Sequence, residues 1–146
     1  MDNNLLERVK AASQFQNAKD IKVFEEGVWK LAESQDEETF KNLIELFDDE
    51  TPYPEVMFNL VHALESYPDE KYVCNLISNL NTGLIKSPEF YAGLFVAAIN
   101  NKNCLSHIKK RISSIDETIL INLQQRVAKI SQKHSQLIHE FRDELH

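Results

Sequence analysis

Glycine and proline are scarce in this chain, and long apolar runs are missing altogether. Three glycines and four prolines among 146 residues leave few of the turn residues that connect short strands. Runs that alternate β-branched and polar residues are also few, whereas apolar residues recur at helical spacing. No segment approaches the roughly 20 apolar residues of a membrane helix. The composition favours an all-α fold, and 42% hydrophobic residues suit one domain, 1–146, with its own core.

Signals for disulfides, targeting and cofactors are equally sparse. Cys74 and Cys104 fall in apolar helical patterns and predict reduced core thiols, because two cysteines at this spacing form no metal motif. The opening MDNNLLERVK lacks the basic and apolar regions of a signal peptide, so the expected compartment is the cytoplasm. We predict no cofactor, no nucleic acid, no membrane and no small-molecule substrate.

Catalytic motifs are missing as well, which predicts a protein that is not an enzyme. The chain has no Gly-x-Ser-x-Gly, no phosphate-binding loop and no cysteine with an evident histidine partner. One weak constellation, Glu55, His62 and Glu65 on a single predicted helix, keeps a metal-dependent hydrolase as a third hypothesis. The basic patch at 107–111 is interpreted as a solvated face. Trp29 and the phenylalanines fall at core spacing and need no ligand.

Helix-start signals divide the chain into about seven to eight short helices. The predicted starts are Asp2 or Asn3, Asp20, Asp36, Pro54, Pro68, Ser87 with Pro88, Asn103 and Asp116. Gly27 lies inside the second helix at a cost of about 1 kcal/mol relative to alanine, so a closely packed neighbouring helix is expected there. Gly83 is interpreted as a break between helices. Short loops between such helices indicate an antiparallel array of helical hairpins, stacked as in HEAT or armadillo proteins.

Two later stretches are informative about the core. Residues 90–99 are nearly all apolar and predict a central helix. After Asp116, apolar residues continue at helical spacing from Ile119 to Leu145. This stretch is either one long helix or two helices with a break near 131–135, and the sequence leaves both interpretations open.

Charge is distributed unevenly along the chain. Residues 33–70 carry twelve acidic side chains and a single base, Lys41, whereas residues 71–146 carry six acids and ten bases. An acidic face repels nucleic acid and anionic lipid and attracts a basic protein. It accelerates association with that protein more than it strengthens the final complex. The pattern therefore predicts a basic protein as the partner.

The strongest acidic signal is the triplet Asp48, Asp49 and Glu50, which we term the acidic turn. It follows the third predicted helix directly, where negative charge opposes the helix dipole, so a use for the charge is favoured. Tyrosines nearby are typical of interface hot spots. The predicted partner-binding residues are Asp48, Asp49, Glu50, Tyr53, Glu55, Tyr67, Asp69 and Glu70. Acids beside helix starts have a structural alternative in the helix dipole, and Tyr67 has one in packing against a turn.

Three strings carry a resemblance to a known family: VFEEGVWKLAES, ELFDDETPYPEVMFNLVHALESYPDEKYV and FYAGLFVAAINN. Over about residues 20–101 the chain resembles the immunity protein 30 family of bacterial polymorphic toxin and contact-dependent growth inhibition systems. The resemblance implies a non-catalytic helical protein that binds and neutralises the C-terminal domain of a cognate toxin, in many cases a basic nuclease. The acidic surface would then cover the toxin's active site, with Tyr53 as an anchor. The alternative is a helical scaffold or adaptor that binds another basic protein.

Overall fold

The structure is a computed structural model that describes residues 1–144, and all regular structure in that range is helical. Ten α-helices and one 3-10 turn, without a strand in those residues, confirm the predicted all-α class. None of these helices is long and apolar enough to cross a membrane. The chain divides into unit 1, residues 1–68, and unit 2, which starts at Asp69. The predicted core residue Leu145 lies outside the described residues, and the single domain stays a prediction.

Unit 1 is built from four helices. These are α1 (Asn3–Ala12), α2 (Ala18–Ala32), α3 (Glu37–Ile44) and α4 (Pro54–Glu65). Helix α2 packs against both α1 and α4 and buries Phe24 completely. A Cβ added to Gly27 of α2 would overlap a methyl group of Val9 on α1. Close packing of a neighbouring helix is therefore the reason for this glycine, as predicted.

Unit 2 is organised around one apolar helix. Its elements are α5 (Asp69–Ser78), α6 (Leu80–Lys86), α7 (Pro88–Asn100), α8 (Lys102–Arg111), a 3-10 turn (Ile112–Ser114), α9 (Glu117–Ala128) and α10 (Gln132–Asp143). Helix α7 packs against α6, α8 and α9, and it buries Tyr91 and Phe95, so it is the central helix of this unit. Both cysteines are free thiols. Cys104 is buried, as predicted, and Cys74 is half-buried.

Most of the predicted helix starts are confirmed. The carboxylates of Asp2, Asp36 and Asp116 cap α1, α3 and α9, where they accept backbone N–H groups at 2.7–3.0 Å. Pro54 and Pro88 occupy the first helical positions of α4 and α7, where the missing N–H costs nothing. The start residues of these five helices were therefore predictable from the sequence alone.

Three predicted starts were wrong by one to three residues. Helix α2 is capped by Asn17, and Asp20 lies in its first turn. Helix α8 is capped by Asn101 rather than by Asn103, and α5 begins immediately after Pro68. Both asparagines have extended backbones, and their side-chain oxygens accept the first free N–H groups of the helix. Each sequence segment offered two capping residues, and the one further upstream was used.

Gly83 and the last apolar stretch account for the two additional helices. Gly83 is not a break: it lies buried inside α6, where the ring of Tyr91 occupies the place of a Cβ. Ser131 caps α10 by accepting the N–H of His134, so the last stretch consists of two helices. This decides between the two open interpretations. Ile130, in the break, is 51% exposed and does not belong to the core.

Candidate partner-binding surface

The acidic turn lies in the loop between α3 and α4 of unit 1, directly after the buried Phe47. One carboxylate oxygen of Asp48 accepts the backbone N–H of Glu50 at 3.0 Å. The carbonyl oxygen of Asp48 accepts the N–H of Thr51 at 3.2 Å. The turn is therefore folded on itself, with Asp48 and Glu50 exposed and Asp49 half-buried. The carboxylate of Asp48 is therefore held at the surface by the local backbone.

The argument from the helix dipole does not apply to these acids. Helix α3 ends at Ile44, and its C-cap residue is Glu45. The acidic turn begins beyond the last helical turn, and the dipole effect falls off within that turn. The predicted electrostatic cost was therefore wrong, because the sequence pattern extended the helix too far. What remains is the exposure of the acids and their concentration in one loop.

The charge around the acidic turn has little compensation within unit 1. Residues 1–68 carry fifteen acidic and six basic side chains, a net charge of −9. Within residues 1–144, no cationic side chain lies at ion-pair distance from Asp48, Glu50 or Glu55. Glu55 is exposed in the first turn of α4, where it also suits the helix dipole. Such a surface attracts cations and basic proteins.

Tyr53 connects the acidic turn to the core of unit 1. It is the half-buried N-cap residue of α4, and its N–H donates to the hydroxyl of Thr51 at 3.2 Å. Its ring packs edge-to-face on Phe15 with centroids 6.0 Å apart, and Phe15 packs in the same way on Phe24 at 5.0 Å. Phe15 has a φ of 50°, which is unusual for an aromatic residue. Burial of its ring offsets that strain, so Tyr53 is held by a fixed aromatic cluster.

Tyr67 has a different environment from the one expected of a contact residue. It is 2% exposed, its hydroxyl donates to the carbonyl oxygen of Asp36 at 3.0 Å, and its ring packs on Phe40. Burial, and then the charge of Asp36, raise the pKa of Tyr67 to about 12. The structure favours the packing alternative for Tyr67, because a buried ring offers a partner almost no surface.

Asp69 and Glu70 belong to unit 2, in the first turn of α5. Asp69 accepts a weak hydrogen bond from the thiol of Cys104 at 3.6 Å. Glu70 forms an ion pair with Arg111 at 2.8 Å, so its charge is partly neutralised by the basic patch of α8. The side chains of both predicted residues thus interact with α8 of their own unit, Asp69 with Cys104 and Glu70 with Arg111. For the side chain of Glu50, no ion pair is found in residues 1–144.

Two exposed aromatic residues were missed by the sequence analysis. Trp29 on α2 is 42% exposed and Phe58 on α4 is 54% exposed, although both were expected in the core. The buried positions of α2 include Val28, and the buried positions of α4 include Met57. Adjacent helical residues point about 100° apart, so each aromatic residue lies off the buried stripe of its helix. A stricter reading of the helical period would have found them.

The groups considered for a metal site are not assembled into one. His62 Nδ1 lies 3.2 Å from a carboxylate oxygen of Glu65, as their spacing on α4 allows. Glu55 lies seven residues before His62, which is about 10 Å along a helix. Within residues 1–144 no three histidine, cysteine or acidic side chains form a group that could hold a metal ion.

A groove between α9 and α10 of unit 2 has a volume of about 410 Å³. It is lined by Ile121, Gln124, Gln125, Ala128, Ser135, His139 and Arg142. His139 Nε2 lies 3.1 Å from a carboxylate oxygen of Asp143, one turn further along α10. None of the predicted partner-binding residues lines this groove, so it is not part of the acidic surface.

Comparison with known families identifies a match to this chain. The model of the family Immunity protein 30 matches residues 11–108, about two-thirds of the chain. The matched segment contains the acidic turn, Tyr53 and both exposed aromatic residues, and it ends before α9. No curated protein and no solved structure matches at a significant level.

Proposed function

The chain belongs to the immunity protein 30 family, and we propose that its acidic surface neutralises a cognate toxin by covering the toxin's active site. Family membership makes the chain an immunity protein whose partner is a toxin protein. We further propose that the partner is the basic, nuclease-like C-terminal domain of a polymorphic or contact-dependent inhibition toxin. Neutralisation takes place in the cytoplasm and needs no catalysis by this chain.

The observation that carries the proposal is the exposed, uncompensated charge of unit 1. Asp48, Glu50 and Glu55 present carboxylates to solvent without a cation at ion-pair distance in residues 1–144. A nuclease binds substrate phosphates with arginine and lysine, and those side chains bind carboxylates equally well. The acidic turn therefore acts as a phosphate mimic, and Tyr53 supplies a positioned aromatic contact beside it.

The other predicted contact residues have smaller roles in this proposal. Tyr67 supports the surface from the core, because its hydroxyl and ring are occupied within unit 1. Asp69 and Glu70 contribute through long-range charge, since both already have partners in unit 2. Substituting them should weaken binding less than substituting the acidic turn.

The test is binding to the C-terminal domain of the large protein encoded immediately upstream, at low and high salt. A neutral triple variant, Asp48→Asn with Asp49→Asn and Glu50→Gln, preserves the acceptor for the N–H of residue 50 and so preserves the turn. We expect its association rate at low salt to fall about tenfold or more. A triple reversal to lysine should lower the association rate further, and high salt should reduce the loss because it screens exposed charges.

A matched control for the triple reversal changes three acidic residues to lysine at another place in the chain. Glu140, Asp143 and Glu144 are exposed at the end of α10, outside the family match. Lysines at that helix terminus suit the helix dipole, so the fold should tolerate their reversal. The control should leave binding nearly unchanged. If the acidic-turn reversal and the α10 reversal weaken binding equally, the effect comes from net charge alone. If the wild type does not bind the toxin domain, the alternative function, an adaptor for another basic protein, is favoured.

A further inference from the structure

Exposed aromatic residues on two packed helices of unit 1 suggest more than a charged surface. The exposed large hydrophobic residues of the described chain are Met1, Trp29, Phe58, Ile85, Ile121 and Ile130. Only Trp29 and Phe58 among them are aromatic, and both lie in unit 1 within the family match. Tryptophan is among the residues most enriched at interface hot spots, where its ring is desolvated by the partner.

A hydrogen bond between α2 and α4 shows that the two aromatic residues lie at a similar level along the helix pair. Asn59 Nδ2 on α4 donates to a carboxylate oxygen of Glu25 on α2. Trp29 lies one turn beyond Glu25, and Phe58 directly precedes Asn59. Both residues therefore lie within about one helical turn, or 5.4 Å along the axis, of this bond. We call the solvent-exposed side of α2 and α4 that carries them the aromatic face.

The charge around the aromatic face indicates what it binds. On α4, the exposed Glu55 and Glu65 lie one to two turns from Phe58. On α2, the exposed Glu26 and Glu33 are balanced by the exposed Lys22 and Lys30, so the acidic excess near the aromatic face comes from α4. Tryptophan is the best aromatic acceptor for a guanidinium group, and nearby carboxylates complete its coordination. A second copy of this chain is disfavoured as the occupant, because two faces of units with net charge −9 repel each other.

We propose that the aromatic face is the energetic centre of the toxin interface and that an arginine-bearing surface of the basic toxin domain covers it. The acidic turn then forms the charged rim of the same interface on unit 1. This inference rests on the proposed function, and it assigns a role to residues that charge alone does not explain. Rim charge controls mainly the association rate, whereas buried anchors control the dissociation rate.

Binding kinetics of single variants test the assignment. Trp29→Ala and Phe58→Ala should each weaken binding to the upstream-encoded toxin domain about 30-fold, through faster dissociation and with an unchanged salt dependence. Ile85→Ala and Ile121→Ala are the controls, since both side chains are exposed in unit 2 and should not matter. Circular dichroism of each variant verifies the fold, because both aromatic residues are already half in solvent.

Labelling gives a second readout that does not depend on substitution. Trp29 is the single tryptophan of the chain. Biosynthetic fluorotryptophan in this chain alone therefore provides one fluorine resonance, whatever tryptophans the toxin domain contains. Addition of the toxin domain should shift that resonance and remove its sensitivity to solvent deuteration.

The outcomes separate this inference from the proposed function. Tight wild-type binding that both alanine variants retain, with an unshifted fluorine resonance, overturns the aromatic face and leaves the immunity function standing. Absence of wild-type binding overturns both. Concentration-dependent dimerisation of the free chain that Trp29→Ala abolishes also overturns the assignment, because the occupant is then a second copy.

Discussion

Gly83 and Gly93 allow the packing around the central helix of unit 2 to be tested with one kind of substitution. Alanine is better than glycine in a helix by about 1 kcal/mol. A Cβ at Gly93 meets no atom within 4 Å, so Gly93→Ala should realise that full gain. The expected stabilisation of about 1 kcal/mol corresponds to a rise in melting temperature of about 2–4 °C.

The same substitution at Gly83 should have the opposite sign. Its Cβ would overlap three ring atoms of Tyr91, which is fully buried. The ring cannot move aside freely, because the Tyr91 hydroxyl donates to the carbonyl oxygen of Leu76 at 2.7 Å. Overpacking costs about 1–3 kcal/mol and a weakened hydrogen bond about 1 kcal/mol, against the gain in helix propensity. The net expected loss is about 1–3 kcal/mol.

Urea denaturation followed by far-ultraviolet circular dichroism measures both variants against the wild type. The difference between Gly93→Ala and Gly83→Ala should be about 2–4 kcal/mol. Both substitutions are made inside helices of the same unit, so the gain in helix propensity is the same in both variants. The difference between their free energies of unfolding therefore reports the packing against Tyr91 at Gly83. Equal stabilisation of the two variants would refute the reasoning, because it would mean that the Tyr91 ring does not occupy the space beside Gly83.

Two further predictions concern the support of the acidic surface in unit 1. Asp36→Ala removes the cap of α3 and should cost about 1 kcal/mol in urea denaturation. The N–H of Thr39 lowers the pKa of Asp36, so its contribution is present above the ordinary carboxyl pKa of about 4 and is lost as the pH falls through the folded pKa. Asp36→Asn keeps the hydrogen-bond acceptor but does not titrate, so its free energy of unfolding should fall less at acidic pH than that of the wild type. An identical decrease in the variant and the wild type would contradict the assignment. Tyr67→Phe should cost about 1 kcal/mol, because it removes the hydrogen bond to Asp36. Burial raises the pKa of Tyr67 to about 12, so its stabilising effect is complete below pH of about 10 and is lost as the pH rises through 12; an unchanged alkaline limb in the variant would sink this account.

In the proposed interface, the charge of the acidic turn affects mainly the association rate, whereas Trp29 and Phe58 affect mainly the dissociation rate. Asp48 and Glu50 of the acidic turn are exposed, so their charge suits the capture of a basic surface from solution. Trp29 and Phe58 lie on rigid helices that pack against each other, so they suit a contact that must persist. An inhibitor of a toxin protein needs both a high association rate and a low dissociation rate.

The sequence by itself determined most of the helices of this protein, because helix caps and apolar periodicity are local properties, but it did not predict α6 or decide the division between α9 and α10. Asp36 and Pro54 opened the helices that they were expected to open, and the apolar run at 90–99 became the central helix of unit 2. The family resemblance was also readable from short strings, and the family match over residues 11–108 confirms it. The charge asymmetry that suggests a basic partner needs no coordinates.

Only the tertiary structure decided which residues face solvent and which glycines are required. Gly83 is required inside its helix because the ring of Tyr91, eight residues later, fills the space where a Cβ would be. Tyr67 is buried because its hydroxyl finds a carbonyl oxygen 31 residues away, at Asp36. Each outcome depends on a contact between distant residues, and local spacing carries no information about the partner that supplies it.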